Sequence, residues 1–230
     1  MKLQAMVLAL AGTLAIGQAS AADVEGSTSG VWVNPVPGTA TVTGVGTSNF
    51  TWGDSSAFGG PPNSLSFTGG LFASAFETKF KVGTLSYFNG TTALGSTADS
   101  VDLALTLNFT SPALGNVVGN YGFLLNSTPN TGTADENADF VSLPSLFSET
   151  SFLIGGTEYR VKLTGFENVV GDGFLASTAS EFHVREGGTA SADLYAVVTT
   201  ATPVPEPETY ALMLAGLGVL GMVARRRRQG

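Results

Sequence analysis

Val101-Asp-Leu-Ala-Leu-Thr-Leu-Asn-Phe109 puts Val101, Leu103, Leu105, Leu107 and Phe109 on one side of an extended chain and polar or small residues on the other. A strict period of two predicts a strand with one face in a core and one in solvent. The stretch Lys79-Phe-Lys-Val-Gly-Thr-Leu-Ser-Tyr-Phe88 alternates in the same way but breaks once near Gly83, as a β-bulge would. Ser151 to Ile154, Gly155-Gly156 and Thr157 to Thr164 read as a hairpin, because two glycines supply the positive φ that a tight two-residue turn needs. Ser180 to Arg185, Glu186-Gly-Gly188 and Ala192 to Val198 read as a second hairpin. No internal stretch shows a helical period. The expected fold is therefore all-β, a β-sandwich or jelly roll.

Composition supports this expectation and bounds the function. Only 12% of residues are charged and 30 are Gly, a balance that favours short strands and turns. Between residues 22 and 202 there are five basic and sixteen acidic residues, a net charge of −11. Such a surface repels phosphate backbones, which excludes nucleic acid as a partner. There is no cysteine, which removes thiol nucleophiles and thiolate metal sites.

The two ends of the chain carry transport signals. Met1-Lys2, an apolar run from Leu3 to Ile16 and the small-residue site Ala19-Ser20-Ala21 have the layout of a secretory signal peptide, residues 1–21, cleaved after Ala21. At the other end, Pro203-Val-Pro-Glu-Pro-Glu208 precedes the uncharged run Tyr210 to Ala224, and Arg225, Arg226, Arg227 and Arg228 follow. As a helix that run spans roughly 22 Å at about 1.5 Å per residue, short of a bilayer core of about 30 Å. Local thinning and snorkelling arginines accommodate the mismatch. The alternative, an ordinary buried C-terminal helix, normally has a polar face and this run has none, so a single transmembrane segment, 209–224, is expected. Its basic tail, 225–230, stays cytoplasmic. The prolines favour an extended backbone before it, which is the linker reading of the same residues.

Motif, short span and arginine cluster, in that order over 203–230, resemble the PEP-CTERM sorting signal of Gram-negative bacteria. The resemblance implies that exosortase, a membrane-embedded cysteine-dependent transpeptidase, cleaves near Pro205, Glu206 and Pro207 and releases or re-anchors the outer part. It also implies export through the inner membrane, a cell-surface or extracellular destination, and an association with exopolysaccharide and biofilm.

The part between the signals, 22–202, also resembles a family. Gly30-Val-Trp-Val-Asn-Pro35, Gly44-Val-Gly-Thr-Ser-Asn-Phe-Thr-Trp-Gly53, Phe80 to Gly90, Asn137-Ala-Asp-Phe-Val141 and Leu163-Thr-Gly-Phe166 are similar to the choice-of-anchor K domain. That family carries no assigned activity, so the resemblance implies an exported surface module and nothing catalytic.

Chemical candidates are few. His183 is the only histidine, and alternation on its strand points it opposite Phe182 and Val184. No G-x-S-x-G motif accompanies it, and Asp99 with Asp102 makes a poor glycosidase pair, being expected on opposite faces. The expectation is a protein that is not an enzyme. Asn126 to Asp139 is rich in oxygen donors, with Asn130, Asp135, Asn137 and Asp139 as candidate calcium ligands. The competing reading is a turn-rich loop in which Asn and Asp bond to the backbone, and no other cofactor is indicated. Trp32, Trp52, Tyr87, Tyr121 and Phe123 are either core or a sugar-stacking face. The sequons at Asn49, Asn89, Asn108 and Asn126 are expected by chance in such a composition. Two function classes follow: a non-enzymatic surface or matrix protein with extracellular polysaccharide as a possible partner, or a calcium-dependent carbohydrate-binding or carbohydrate-active protein.

Overall fold

The stretch from Val101 to Phe109 lies within β7 (Ser100–Ser111), where alternate side chains from Val101 to Phe109 are buried. A computed structural model describes residues 23–143 and 149–201. The signal peptide, the sorting motif, the membrane segment and the basic tail read above lie outside the described residues. Around β7 the first sheet adds β1 (Val24–Val36), β5 (Leu71–Ser74), β8 (Gly115–Asn126), β9 (Asp139–Ser142) and β12 (Glu181–Val184). Its order is β12-β9-β8-β7-β1-β5. The second sheet contains β2 (Val42–Thr43), β3 (Asn49–Trp52), β4 (Asn63–Gly69), β6 (Lys79–Phe88), β10 (Glu149–Ile154), β11 (Thr157–Val170) and β13 (Thr189–Thr200). Its order is β10-β11-β13-β6-β4-β3-β2. All pairings are antiparallel. Among the described residues there is no helix, and hence none long and apolar enough to cross a membrane.

The inward faces of the two sheets form one core, as a β-sandwich requires. Trp32 packs edge-on against Phe123 at 5.5 Å, Phe123 reaches Phe166 on the opposite sheet at 6.3 Å, and Phe166 meets Phe182 at 6.0 Å. Polar handles of the aromatics are used across the layers. The Tyr121 hydroxyl donates to Val161 O at 3.3 Å, and Trp32 Nε1 donates to Ser48 O at 3.2 Å. Burial raises the phenols of Tyr87 and Tyr121, most strongly Tyr87. Each such ring removed from water contributes about 1.5–3 kcal/mol by area.

Local features follow the sequence in most places. The break near Gly83 is a register shift in the β6–β13 pairing, where Gly83 faces Leu194 and the next partner of β13 is Lys81. The Gly155-Gly156 hairpin is present, with φ of 57° and 87° and Ile154 opposite Thr157. The second hairpin is not. β12 pairs with β9 in the first sheet, and β13 pairs with β11 and β6 in the second, so residues 185–188 form a corner between layers. The physical reason is that the corner's backbone bonds elsewhere. Glu186 N donates to Ala134 O, Gly187 N to Asn89 O, and Arg185 N to Gly173 O. Gly188 packs against Gly173 so tightly that a Cβ there would lie 2.6 Å from Gly173 Cα.

The strands also define two ends. The turn after β5 clasps both flanks of the domain: Asp23 N donates to Ser74 O, Asp23 Oδ2 accepts from Phe76 N, and Glu77 Oε1 accepts from Thr200 N. Residues 23 and 201 therefore leave from the same end. The opposite end, where β6 finishes and β13 begins, is roughly 35–40 Å away by the rise of the 12-residue strand β13.

Candidate functional site

At that far end, two connections that are distant in sequence face each other across a cavity of about 290 Å³. One wall is the segment 90–97 between β6 and β7; the other is 127–130 with Asp139. The first wall is held in shape by Ser96. Its hydroxyl donates to Ala93 O at 2.6 Å and accepts from Asp54 N at 2.8 Å, while Ala93 N donates to Asp54 O. The second wall is held by Asp139, whose Oδ1 accepts from the Thr128 backbone N–H at 2.7 Å and from the Thr128 hydroxyl at 2.8 Å.

Asp139 is only 4% exposed. Burial disfavours its charged form and, although the Thr128 bonds and the Ser127 side chain pull the other way, pushes its pKa up to about 6, with Glu186 adding repulsion. The surroundings of this wall are polar and buried too. Asn63 Oδ1 accepts from Gly90 N at 2.8 Å, Asn89 Nδ2 donates to Val184 O at 3.0 Å, and Thr91 bonds the Glu186 carboxylate. Asn63 Nδ2, Asn89 Oδ1 and Trp52 Nε1 are buried without a protein partner.

The four candidate calcium ligands are placed on separate duties. Asn130 is exposed at the cavity rim. Asp135 pairs with Arg185 at 3.0 Å. Asn137 closes a small ring with Gly132, accepting from its N–H at 2.8 Å and donating to its carbonyl at 3.1 Å. Glu136 caps the same turn through the Thr133 N–H and hydroxyl, which lowers its pKa. Among the described residues no group of three or more His, Cys, Asp or Glu stands where it could hold a metal ion. The carboxylates and amides of this loop mainly bond to backbone groups.

The remaining candidates sort as simply. His183 lies on the outer face of β12, its ring stacked on Phe140 at 4.5 Å and Nε2 3.1 Å from Glu181 Oε2. Ser177, linked to the same residue, spends its hydroxyl on Leu175 O and the His183 backbone N–H. Asp102 accepts from Asn34 at 3.0 Å. Trp32, Trp52, Tyr87, Tyr121 and Phe123 are each at most 1% exposed, so none offers a stacking face. Of the sequons, Asn89 is buried and Asn126 bonds Ser142, while Asn49 and Asn108 are exposed.

Sequence reasoning gave the first wall no functional role. Thr92, Thr97 and Ser96 belong to no motif, and their proximity to Thr128 exists only after β7 and β8 have paired. One signal was available: Thr133-Ala-Asp-Glu136 has the spacing of a capping box, which marks a turn.

The fold and cavity define an antiparallel β-sandwich with a polar far end, its two flanks leaving from the other end. Residues 203–228 match the family model described as a PEP-CTERM protein-sorting motif. The match implies export with a C-terminal membrane anchor and later processing by exosortase to the cell surface. No curated protein matches the chain.

Proposed function

We propose that this is a non-enzymatic protein of the cell surface or extracellular matrix, built on a choice-of-anchor K type sandwich and taking part in an exopolysaccharide or biofilm layer of a Gram-negative bacterium. The observation that carries the reading is the joining of the sorting motif at 203–228 to a domain whose two flanks leave from one end. The segment that carries the sorting motif then follows from the end opposite the cavity. The disposition of His183, with its ring against Phe140 and Glu181 and the Ser177 hydroxyl on backbone groups, supports a binding or structural role over hydrolysis.

Fractionation of the producing cells tests this. The protein is expected at the surface and in the matrix of wild-type cells, and in the inner membrane when exosortase is deleted or when Pro205, Glu206 and Pro207 are replaced by alanine. Unchanged fractionation in both cases would sink the reading. Release of the protein by digestion of the polysaccharide, with no release from a washed matrix-free strain, checks the matrix part.

A further inference from the structure

We propose that the far-end cavity is a binding site for one neutral sugar ring, with the Asp139 carboxylate and the hydroxyls of Thr92, Thr97 and Ser127 as its polar contacts. The chemistry of the walls selects this class. Hydroxyl and amide side chains both donate and accept, as sugar hydroxyls do, and Asp139 supplies a charged acceptor, the stronger kind of partner for an O–H donor. Ala93, Leu94 and Pro129 offer apolar surface to the C–H edges of a ring. The lining contains no Lys, Arg or His, and Arg185 nearby is paired with Asp135, so an anionic ligand has no counter-charge. It contains no aromatic ring, which removes a flat ligand held by stacking. With Asp139 as the sole acid in the lining, a divalent cation lacks the carboxylates it needs.

Size and shape agree. A volume of about 290 Å³ lies just below the range of roughly 300–1,000 Å³ for small-molecule sites, which leaves room for one ring and not for a chain buried along its length. The walls are preformed by the Ser96 and Thr128 hydrogen bonds, so little ordering is needed on binding. The affinity expected for so few ligand atoms is on the order of millimolar, useful when many copies face a repeating polymer.

The source of the sugar as matrix polysaccharide rests on the reading under Proposed function; the site itself does not. Saturation-transfer NMR on the full chain, in a zwitterionic detergent without a sugar headgroup, tests it with glucose, galactose, mannose, N-acetylglucosamine and glucuronate at about 10 mM, chosen for millimolar binding. At least one neutral sugar is expected to show transfer and glucuronate to show less. Asp139→Asn keeps an acceptor for Thr128 and is expected to weaken binding about tenfold or more, the loss of one charge-assisted hydrogen bond. Asn130→Trp, at an exposed rim position, is expected to abolish it with the fold intact. No transfer from any neutral sugar, equal transfer from glucuronate, or undiminished transfer in Asn130→Trp would each overturn the proposal. A protein blind to sugars yet retained in the matrix would remove the site and leave the proposed function standing. Sugar binding by a protein absent from the matrix would do the reverse.

Discussion

The two ends of the sandwich are built from different chemistry. At the end where both flanks leave, aromatic rings form a continuous seam across the layers. Phe80, Phe72, Phe109, Phe152, Tyr159 and Phe76 follow one another at 5.0, 5.5, 5.1, 6.0 and 4.5 Å. At the far end the interior is capped by Asn63, Asn89 and Asp139, with three buried polar atoms that lack a protein partner. Burying polar side chains costs free energy that their hydrogen bonds must offset, whereas the seam gains from ring burial directly.

The largest effect should come from the seam. Phe109→Ala removes a ring that is 2% exposed and touches both Phe72 and Phe152. A loss of about 3–5 kcal/mol in urea unfolding is expected for such a deletion. A loss below about 1 kcal/mol would mean the seam collapses around the gap, and the contrast between the ends would disappear. Asn63→Ala should cost about 1–3 kcal/mol, because it strands the buried N–H of Gly90. Since Gly90 lines the cavity, this variant should also weaken sugar binding while Phe109→Ala, at equal folded fraction, does not.

Much of this contrast was hidden in the sequence, for a physical reason. Alternation on β7, the bulge at Gly83 and the Gly155-Gly156 turn are local: each is decided by a few neighbouring residues, and each is present. The Glu186-Gly187-Gly188 segment has equally good turn chemistry, yet its backbone bonds Ala134, Asn89 and Gly173 and carries the chain to the other sheet. Period two says which face is buried and not which sheet owns the strand. The cavity is less legible still, because its walls come from segments about thirty residues or more apart that β-pairing alone brings together. Of its lining, Asn130 and Asp139 stood out beforehand as ion ligands and Gly90 only within a family stretch, none of them as part of a cavity.

Asp139→Asn separates function from stability at the far end. The folded-state pKa of Asp139 is raised to about 6, chiefly by burial, above the ordinary 3.8. The native state therefore binds more protons than the unfolded one between these values, and the penalty for ionised Asp139 is complete above about pH 6 and absent below about pH 4. The neutral amide escapes it at every pH. The variant should be more stable than wild type by on the order of 1–2 kcal/mol at pH 7, with the difference fading as pH is lowered to 4. A variant less stable at pH 7 would show that the Thr128 bonds outweigh desolvation.

Asp193 is the counterpart that sharpens the point, because the same side chain on the outer face of β13 has the opposite environment. Burial works to raise its pKa, but Lys81 at 2.6 Å, Asn168 at 3.1 Å and Thr84 at 2.9 Å together hold it below the ordinary value. A depressed carboxylate stabilises above its unfolded pKa of 3.8 and loses that contribution as pH falls through the folded value. Asp193→Asn should therefore destabilise at pH 7 and converge with wild type in acid, the reverse of Asp139→Asn. Lys81 is about half exposed, so solvent screening limits the effect to a few tenths of a kcal/mol up to about 1 kcal/mol. Added salt at 1 M should shrink it further, since the Debye length falls to about 3 Å. Asp139, almost fully buried and with no cation beside it, should show far less salt dependence. If both aspartates respond alike to pH and salt, the distinction between a far end shaped for a ligand and a sheet face shaped for stability does not hold.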